Sequence, residues 1–331
     1  MAKILNNGLD IGASSVFHNG VDWRGREKQA EYKNTVQGRE PLRQWVRQQI
    51  QRGCQVRFAL EATGVYYLDL ARELVIAGAQ VMIINPRASH NFAEALMNRR
   101  KDDPVDAATL RQACAILAFH PWQPPSGLHF AVRALVRHAA MHVKSLTAAR
   151  NRRHAARATE VTPQAVIDSL EREIAHLESE IDTLRADALK LIAQDPELVR
   201  KLDLAKTILG VGDVIALMIV AELGLLPQDM SARQWVAFCG LDVREERSGT
   251  SVDRAPHISK RGNNRLRAVL YMAAQSLARD HGRVVKWCER LQGNGKQAQE
   301  AIVAVMRKLV HGLHAMWRTN TAFDAKRLFV I

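Results

Sequence analysis

The chain has 331 residues, which argues for two domains, or two domains and a connecting arm, rather than a single core. Its hydrophobic fraction is 47%, ordinary for a globular protein, and no uninterrupted apolar run approaches the roughly 18 residues that a membrane span requires. Lys and Arg total 47 against 34 Asp and Glu, a formal charge of +13, which attracts polyanions and makes nucleic acid the default partner. The positive excess is spread from Arg99 to the C-terminus, unlike the single basic amphipathic segment of a membrane-surface protein. Met1 to Asp10 run straight into a strand pattern with no small-residue cleavage site, so no export signal is read. Cys54, Cys114, Cys239 and Cys288 form no Cys-x-x-Cys pair. Neither zinc nor a disulfide framework is indicated, and buried thiols in a reduced cytoplasm are expected.

Along the chain, Lys3 to Asp10, Ser14 to Val21 and Lys28 to Thr35 read as strands, and Pro41 to Arg52 as a helix. A strand follows at Gln55 to Leu60, a helix at Tyr66 to Ala77 and an apolar strand at Gln80 to Ile84, closed by Asn85-Pro86 as a turn. This order predicts a mixed sheet with helices on its faces, as in ribonuclease-H-like domains. Phe130 to Thr159 reads as a long helix carrying Arg133, Arg137, Lys144, Arg150, Arg152, Arg153 and Arg157, which either tracks phosphates or is a solvated face. After Thr162-Pro163, apolar residues recur in steps of three and four from Ile167 to Leu191. That is a coiled-coil seam, ended by Asp195-Pro196, whose partner is the preceding helix or another subunit. Leu198 to Ile331 reads as a largely helical domain with a polar insert from Arg244 to Asn264. Within it, Leu209-Gly210-Val211-Gly212 resembles a helix-hairpin-helix element, with a tight turn between buried helices as the plainer account.

Asp10 closes the first strand within Gly8-Leu9-Asp10-Ile11-Gly12, where the glycines would let a substrate backbone come close. Glu61 ends a later strand in Leu60-Glu61-Ala62-Thr63-Gly64. If those strands are neighbours, both carboxylates project from one edge of the sheet, forming the oxygen-rich site that Mg²⁺ prefers. The third element is Lys101-Asp102-Asp103-Pro104-Val105-Asp106. Pro104 suits the first helical position, which makes Asp103 the expected N-cap, with Asp106 one turn on and Asp102 a spare ligand pointing elsewhere. Capping and helix-dipole interactions would account for these two aspartates without any metal. The same spacing lets both share one, and four carboxylates beside a basic surface suit phosphodiester chemistry with two metal ions.

Arg247-Ser248-Gly249-Thr250-Ser251 and Ser259-Lys260-Arg261-Gly262-Asn263-Asn264-Arg265-Leu266-Arg267 precede an apolar helix from Ala268 to Ala278. By chemistry alone they suit phosphate binding better than nucleophilic attack. Together with Gly8-Leu9-Asp10, Leu60 to Gly64, Asn85-Pro86, Lys101 to Ala107, the paired glycines and Phe238-Cys239-Gly240-Leu241, they make the chain resemble a known family along nearly its whole length. This is the insertion-sequence transposases with an Asp-Glu-Asp-Asp catalytic set, related to Piv-type DNA invertases and described as bridge-RNA-guided recombinases. Ile11-Gly12-Ala13-Ser14, where many relatives carry a lysine, and Pro104, where Thr is frequent, depart from the pattern without touching a proposed ligand.

The resemblance implies a RuvC-like α/β catalytic domain over residues 1–125, a basic helix and coiled-coil arm over 126–196, and a mainly α transposase domain over 197–331. It implies Asp10, Glu61, Asp103 and Asp106 as ligands of Mg²⁺ or Mn²⁺, and Ser248 as the nucleophile that forms a phosphoserine link to DNA, with Ser251 as fallback. Donor and target DNA and a non-coding bridge RNA are the expected partners. A homodimer, and a tetramer in the synaptic complex, would share composite sites. The enzyme would act in the cytoplasm, at the nucleoid, with no membrane. Arg99, Arg100, Lys101, Arg247, Lys260, Arg261, Arg265 and Arg267 are the expected nucleic-acid contacts. Three competing readings are a protein-only DNA invertase, a Holliday-junction-type metal-dependent nuclease that uses water, and a non-catalytic nucleic-acid scaffold.

Overall fold

The computed structural model describes residues 2–62, 64–97, 102–227, 229–248 and 252–330, with side chains left undescribed at 246–248 and 252–255. The chain divides into two compact units, Met1–Pro124 and Pro125–Ile331. No described helix is long and apolar enough to cross a membrane.

The first unit contains β1 (Ile4–Ile11), β2 (Ser15–Val21), β3 (Glu27–Lys33), α1 (Glu40–Gln51), β4 (Gln55–Glu61), α2 (Leu68–Ile76), β5 (Gln80–Ile84), α3 (Pro86–Ala95) and α4 (Asp103–Ile116). Its sheet has the order β3-β2-β1-β4-β5. β2 pairs antiparallel with both β1 and β3, whereas β4 runs parallel to both β1 and β5. This is the mixed sheet expected from the element order. The period-2 alternation sorts its two faces. Leu5 and Leu9 of β1 and Val56, Phe58 and Leu60 of β4 pack with Leu42 and Trp45 of α1 and Leu70 and Leu74 of α2. On the opposite face, Ala59, Met82 and Ile84 meet Leu110, Ala113 and Cys114 of α4. Phe58, Leu60, Leu70 and Leu74 are fully buried, each contributing about 1.5–3 kcal/mol of transfer free energy.

Two local expectations are corrected. Asn85-Pro86 opens α3 instead of closing a turn: the Asn85 side chain accepts from the Arg87 amide at 2.9 Å, and Pro86 takes the first turn, where its missing N–H is harmless. At α4 the N-cap is Asp102, whose Oδ1 accepts from the Val105 amide at 3.0 Å. Asp103 is therefore inside the helix. Pro is tolerated at the second helical position as well as the first, because neither amide has an intrahelical partner.

The second unit contains α5 (Gly127–Arg157), α6 (Gln164–Ile192), α7 (Pro196–Lys206), α8 (Asp213–Leu223), α9 (Ala232–Phe238), β6 (Val243–Ser248), β7 (Val252–Ile258), α10 (Asn264–Asp280), α11 (Gly282–Gly293), α12 (Ala298–Thr319) and α13 (Ala325–Leu328). α5 folds back on α6, with Leu146 and Ala149 packed against Ile174, Leu177 and Ile181. Three of the arginines of α5, towards its C-terminal end, are spent in this pairing. Arg150 meets Glu178 at 2.6 Å, Arg152 meets Glu173 at 2.8 Å, and Arg157 pairs with Glu171. The polar insert is a hairpin of β6 and β7, whose antiparallel register pairs Ser248 with Val252. Its root merges into the helical core built on α8, α10 and α12. The four cysteines are buried and unpaired, as expected.

Candidate active site

Leu9 of β1 is in register with Leu60 of β4, so the next residue on each strand, Asp10 and Glu61, emerges at neighbouring carboxyl ends of two parallel strands. Both share the sheet face of Gly8 and Ala59, which is the face that α4 covers. The close approach of α4 explains Gly8. A Cβ there would lie 2.0 Å from the Ala107 carbonyl oxygen and 2.3 Å from the Arg111 nitrogen. The glycine therefore admits a helix, where the sequence suggested a substrate backbone.

A cleft of about 380 Å³ opens at this edge, lined by Asp10 and Glu61 from the sheet, Asp106 and Thr109 from α4, and Ser89, His90 and Glu94 from α3. Asp103, at the first position of α4, is exposed and does not line it. Its charge nevertheless reaches Asp10. Burial raises the Asp10 carboxyl to about 6, reinforced by the negative charges of Asp103, Asp106 and Glu61 and opposed by a hydrogen bond from the Ile11 amide. Carboxylates from two other segments thus act electrostatically on Asp10.

Electrostatics and coordination geometry differ at this point. Among the described residues, no three His, Cys, Asp or Glu side chains are grouped closely enough to hold a metal ion. The donor set still fits a hard divalent cation in kind, being all carboxylate, and the mutual repulsion at Asp10 is what such a cation would relieve. Holding an ion would require the carboxylates to stand closer together than they do. α3 and its contributions to the cleft, His90 and Glu94 3.3 Å apart, were missed in the sequence because Asn85-Pro86 reads equally as a turn.

In the second unit, Ser248 ends β6 at the tip of the β6–β7 hairpin, and its side chain, like that of Arg247, lies outside the described residues. Arg99, Arg100 and Lys101, like Ser251, lie outside them altogether. The hairpin root is firmly tied. The Ser259 Oγ donates to Asp242 Oδ1 at 2.5 Å, and the Ser259 amide donates to the Asp242 carbonyl at 2.8 Å. The Asn263 amide donates to the Phe238 carbonyl at 2.8 Å. A Cβ on Gly262 would stand 2.4 Å from the Phe238 oxygen, so these two loops touch backbone to backbone. Lys260 and Arg261 are exposed, Arg265 is half-buried, and Arg267 turns inward to donate to the Cys239 carbonyl at 3.0 Å.

One residue went unnoticed in the sequence because it sits in an apolar run. Glu222 of α8 is buried, accepts from Arg137 Nε at 2.6 Å and Nη2 at 2.8 Å, and accepts from Asn263 Nδ2 at 2.6 Å. Asn263 in turn caps α10 through its Oδ1, taking the amides of Arg265 and Leu266. Glu222→Ala should lower stability by about 1–3 kcal/mol, because a half-buried guanidinium and amide lose the buried carboxylate that they share. Chemical denaturation should show it, and an unchanged midpoint would refute the assignment.

A family model described as a transposase with the Asp-Glu-Asp-Asp set matches residues 7–157, and the model of the transposase IS116/IS110/IS902 family matches residues 202–286. The pilin gene-inverting protein of Moraxella bovis is 28% identical over 96% of this chain and 97% of its own length. Its counterpart in Moraxella lacunata gives the same identity and coverage. The transposase for insertion sequence element IS1328 of Yersinia enterocolitica is 25% identical over 66% of this chain and 71% of its own. With an α/β unit that carries Asp10 and Glu61 at neighbouring strand ends, a helical unit that follows it in sequence, and relatives among both transposases and inverting proteins, the chain belongs to the IS110 family of transposases and DNA invertases, enzymes that cleave and rejoin DNA.

Proposed function

We propose that this chain is the transposase of an insertion sequence and exchanges DNA strands site-specifically under the guidance of a bridge RNA. Asp10, Glu61, Asp103 and Asp106 would hold Mg²⁺ or Mn²⁺, and Ser248 would be the nucleophile. The observation that carries the acidic half is the raised Asp10 carboxyl, pushed to about 6 by burial and by the other three members of the set. A bound divalent ion would supply Lewis-acid polarisation of the phosphate and stabilise the leaving oxygen. The chain's own residues do the rest. The Ser248 Oγ forms a bond to phosphorus as the bond to the leaving deoxyribose oxygen breaks, and the serine proton passes to that oxygen. The reverse exchange rejoins the strand to a new partner.

The finer architecture belongs to the same proposal. A RuvC-like catalytic domain spans 1–125, a coiled-coil arm 126–196 and the transposase domain 197–331. The salt-bridged α5–α6 pair supports the arm, and α7 and α8, joined through Gly210 and Gly212, support the helix-hairpin-helix reading. Arg99, Arg100, Lys101, Arg247, Lys260, Arg261, Arg265 and Arg267 would contact nucleic acid. Dimers, and tetramers when donor and target DNA are paired at the nucleoid, would bring Ser248 of one copy to the carboxylates of another.

The test is recombination of donor and target DNA by the purified protein with the RNA transcribed beside its gene. Ser248→Ala should abolish both recombination and the covalent protein–DNA adduct. An adduct that survives would move the nucleophile elsewhere, with Ser251→Ala as the next variant. A second reading, a protein-only DNA invertase, is favoured by the pilin gene-inverting relatives, which match nearly end to end. It predicts full activity after ribonuclease treatment, whereas the first reading predicts none. A water-using junction nuclease would leave no protein on the DNA.

A further inference from the structure

α12 carries two unlike faces. One supplies Val305, Leu309, Val310, Leu313, Met316 and Trp317 to the core of the second unit. Beside it, at steps of four, three and four, run Arg307, His311, His314 and Arg318, flanked by Lys308 and by Arg233 of the adjoining α9. Such spacing places the four on one stripe of a helix. Arg233 and Arg318 are exposed, and Arg307, Lys308 and His311 are partly so. Among the described residues, none of Arg233, Arg307, Lys308 and Arg318 has an acidic partner. This is the opposite of Arg150, Arg152 and Arg157 of α5, which are taken up by the glutamates of α6.

The surroundings also point to an anionic occupant. His311 is held below the ordinary imidazole range by burial first and then by the charges of Arg307, Lys308, His314 and Arg233, which shows how closely these cations gather without neutralisation. The stripe joins two clefts. One, of about 450 Å³, is bounded by Arg307 and Lys296 on one side and by Val243 and Ile258 at the root of the serine hairpin on the other. The second, of about 330 Å³, contains His314, Arg318, Arg200 and Lys201. The acidic groups at these ends are occupied. Glu300 accepts from the Gln297 amide at 2.9 Å, and Glu197 is held by Arg200 at 2.6 Å.

We infer that this face of α9 and α12 is a docking track for the phosphodiester backbone of duplex DNA flanking the phosphate that is cut. Arg307 to Arg318 rise about 16 Å along the helix, and one strand of a duplex carries a charge per about 3.4 Å of duplex axis, so the track spans at most about five phosphates. DNA is the partner because one end of the track lies against the hairpin whose tip carries Ser248, and the phosphate attacked there is a DNA phosphate. The inference rests on that reading of Ser248 for its direction. The free charges themselves do not depend on it.

The experiment follows the binding of an arbitrary duplex of about 30 base pairs by the full-length protein as the salt concentration is raised. Each lost phosphate contact should make the log–log slope shallower by about 0.9. The combined variant Arg233→Ala, Arg307→Ala, Lys308→Ala should therefore lose about 2 to 3 units of slope, and Arg307→Gln alone about one, guarding against a folding failure of the first. The combined variant Arg150→Ala, Arg152→Ala, Arg157→Ala should keep the wild-type slope. A wild-type slope in the α9–α12 variants overturns the track. So does loss of single-stranded RNA binding with duplex DNA binding intact. Ser248→Ala should bind DNA with the full slope and form no adduct. If the track variants keep the wild-type slope and still form adduct, the track alone is wrong. If Ser248→Ala forms adduct, the serine assignment alone is wrong.

Discussion

Asp10→Asn should remove recombination while making the metal-free protein more stable at pH 8. The folded protein holds the Asp10 proton more tightly than the unfolded chain does, since burial and three nearby carboxylates lift the group from 3.8 to about 6. The resulting penalty is absent below the unfolded value, grows as pH rises between the two, and is fully present above the folded one. Asparagine keeps the shape and an oxygen for the Ile11 amide but carries no charge. Asp10 is only partly buried, so solvent screening reduces the raw shift to about 1 kcal/mol, or about 2–4 °C in melting temperature. Thermal melts in chelator should show the variant above wild type at pH 8 and level with it near pH 3.5. Added Mg²⁺ should stabilise wild type more than the variant. Activity should fall by more than about 100-fold, since even residues supporting metal ligands cost that much. The same stability offset at both pH values would mean that Asp10 is not charged against its neighbours.

Gly8→Ala should damage both the fold and the site. The added methyl would fall 2.0, 2.3 and 2.8 Å from backbone atoms of Ala107, Arg111 and Leu110, none of which can swing aside as a side chain could. Either β1 or α4 must shift. Overpacking of this kind costs about 3 kcal/mol, which is about 6–12 °C in a unit of this size. Because α4 carries Asp103 and Asp106 and β1 carries Asp10, a shift of about 1 Å between them should also cost about 100-fold in rate. Gly282→Ala is the matched control, since no atom lies within 4 Å of its added methyl, and it should melt like wild type. A Gly8→Ala protein that melts and recombines normally would show that α4 does not lie against β1 as described.

How much of this was legible in the sequence can be seen residue by residue. The alternation in Gln55 to Leu60 and the apolar run Gln80 to Ile84 marked two strands because side chains on a strand must alternate between faces whatever the neighbouring strand is. Asp10 and Glu61 stood out as carboxylates at strand ends for the same local reason. The Asn85-Pro86 boundary was ambiguous, because Asn and Pro serve a turn and a helix start equally well, and only the hydrogen bond to Arg87 decided it. The one-residue error at Asp102 and Asp103 has a similar origin, Pro being acceptable at either of the first two helical positions.

The chain by itself therefore determined its elements, its excess of positive charge and the kinds of side chain available for phosphodiester chemistry. Tertiary structure alone decided which charges remain free. Arg150, Arg152 and Arg157 of α5 face glutamates of α6, Arg267 and Arg137 turn to interior acceptors, and Arg233, Arg307, Lys308 and Arg318 are left without acidic partners among the described residues. The physical reason is range. Secondary structure follows from backbone and side-chain preferences within a few residues, whereas the fate of a charge depends on what the folded chain brings within a few ångströms of it.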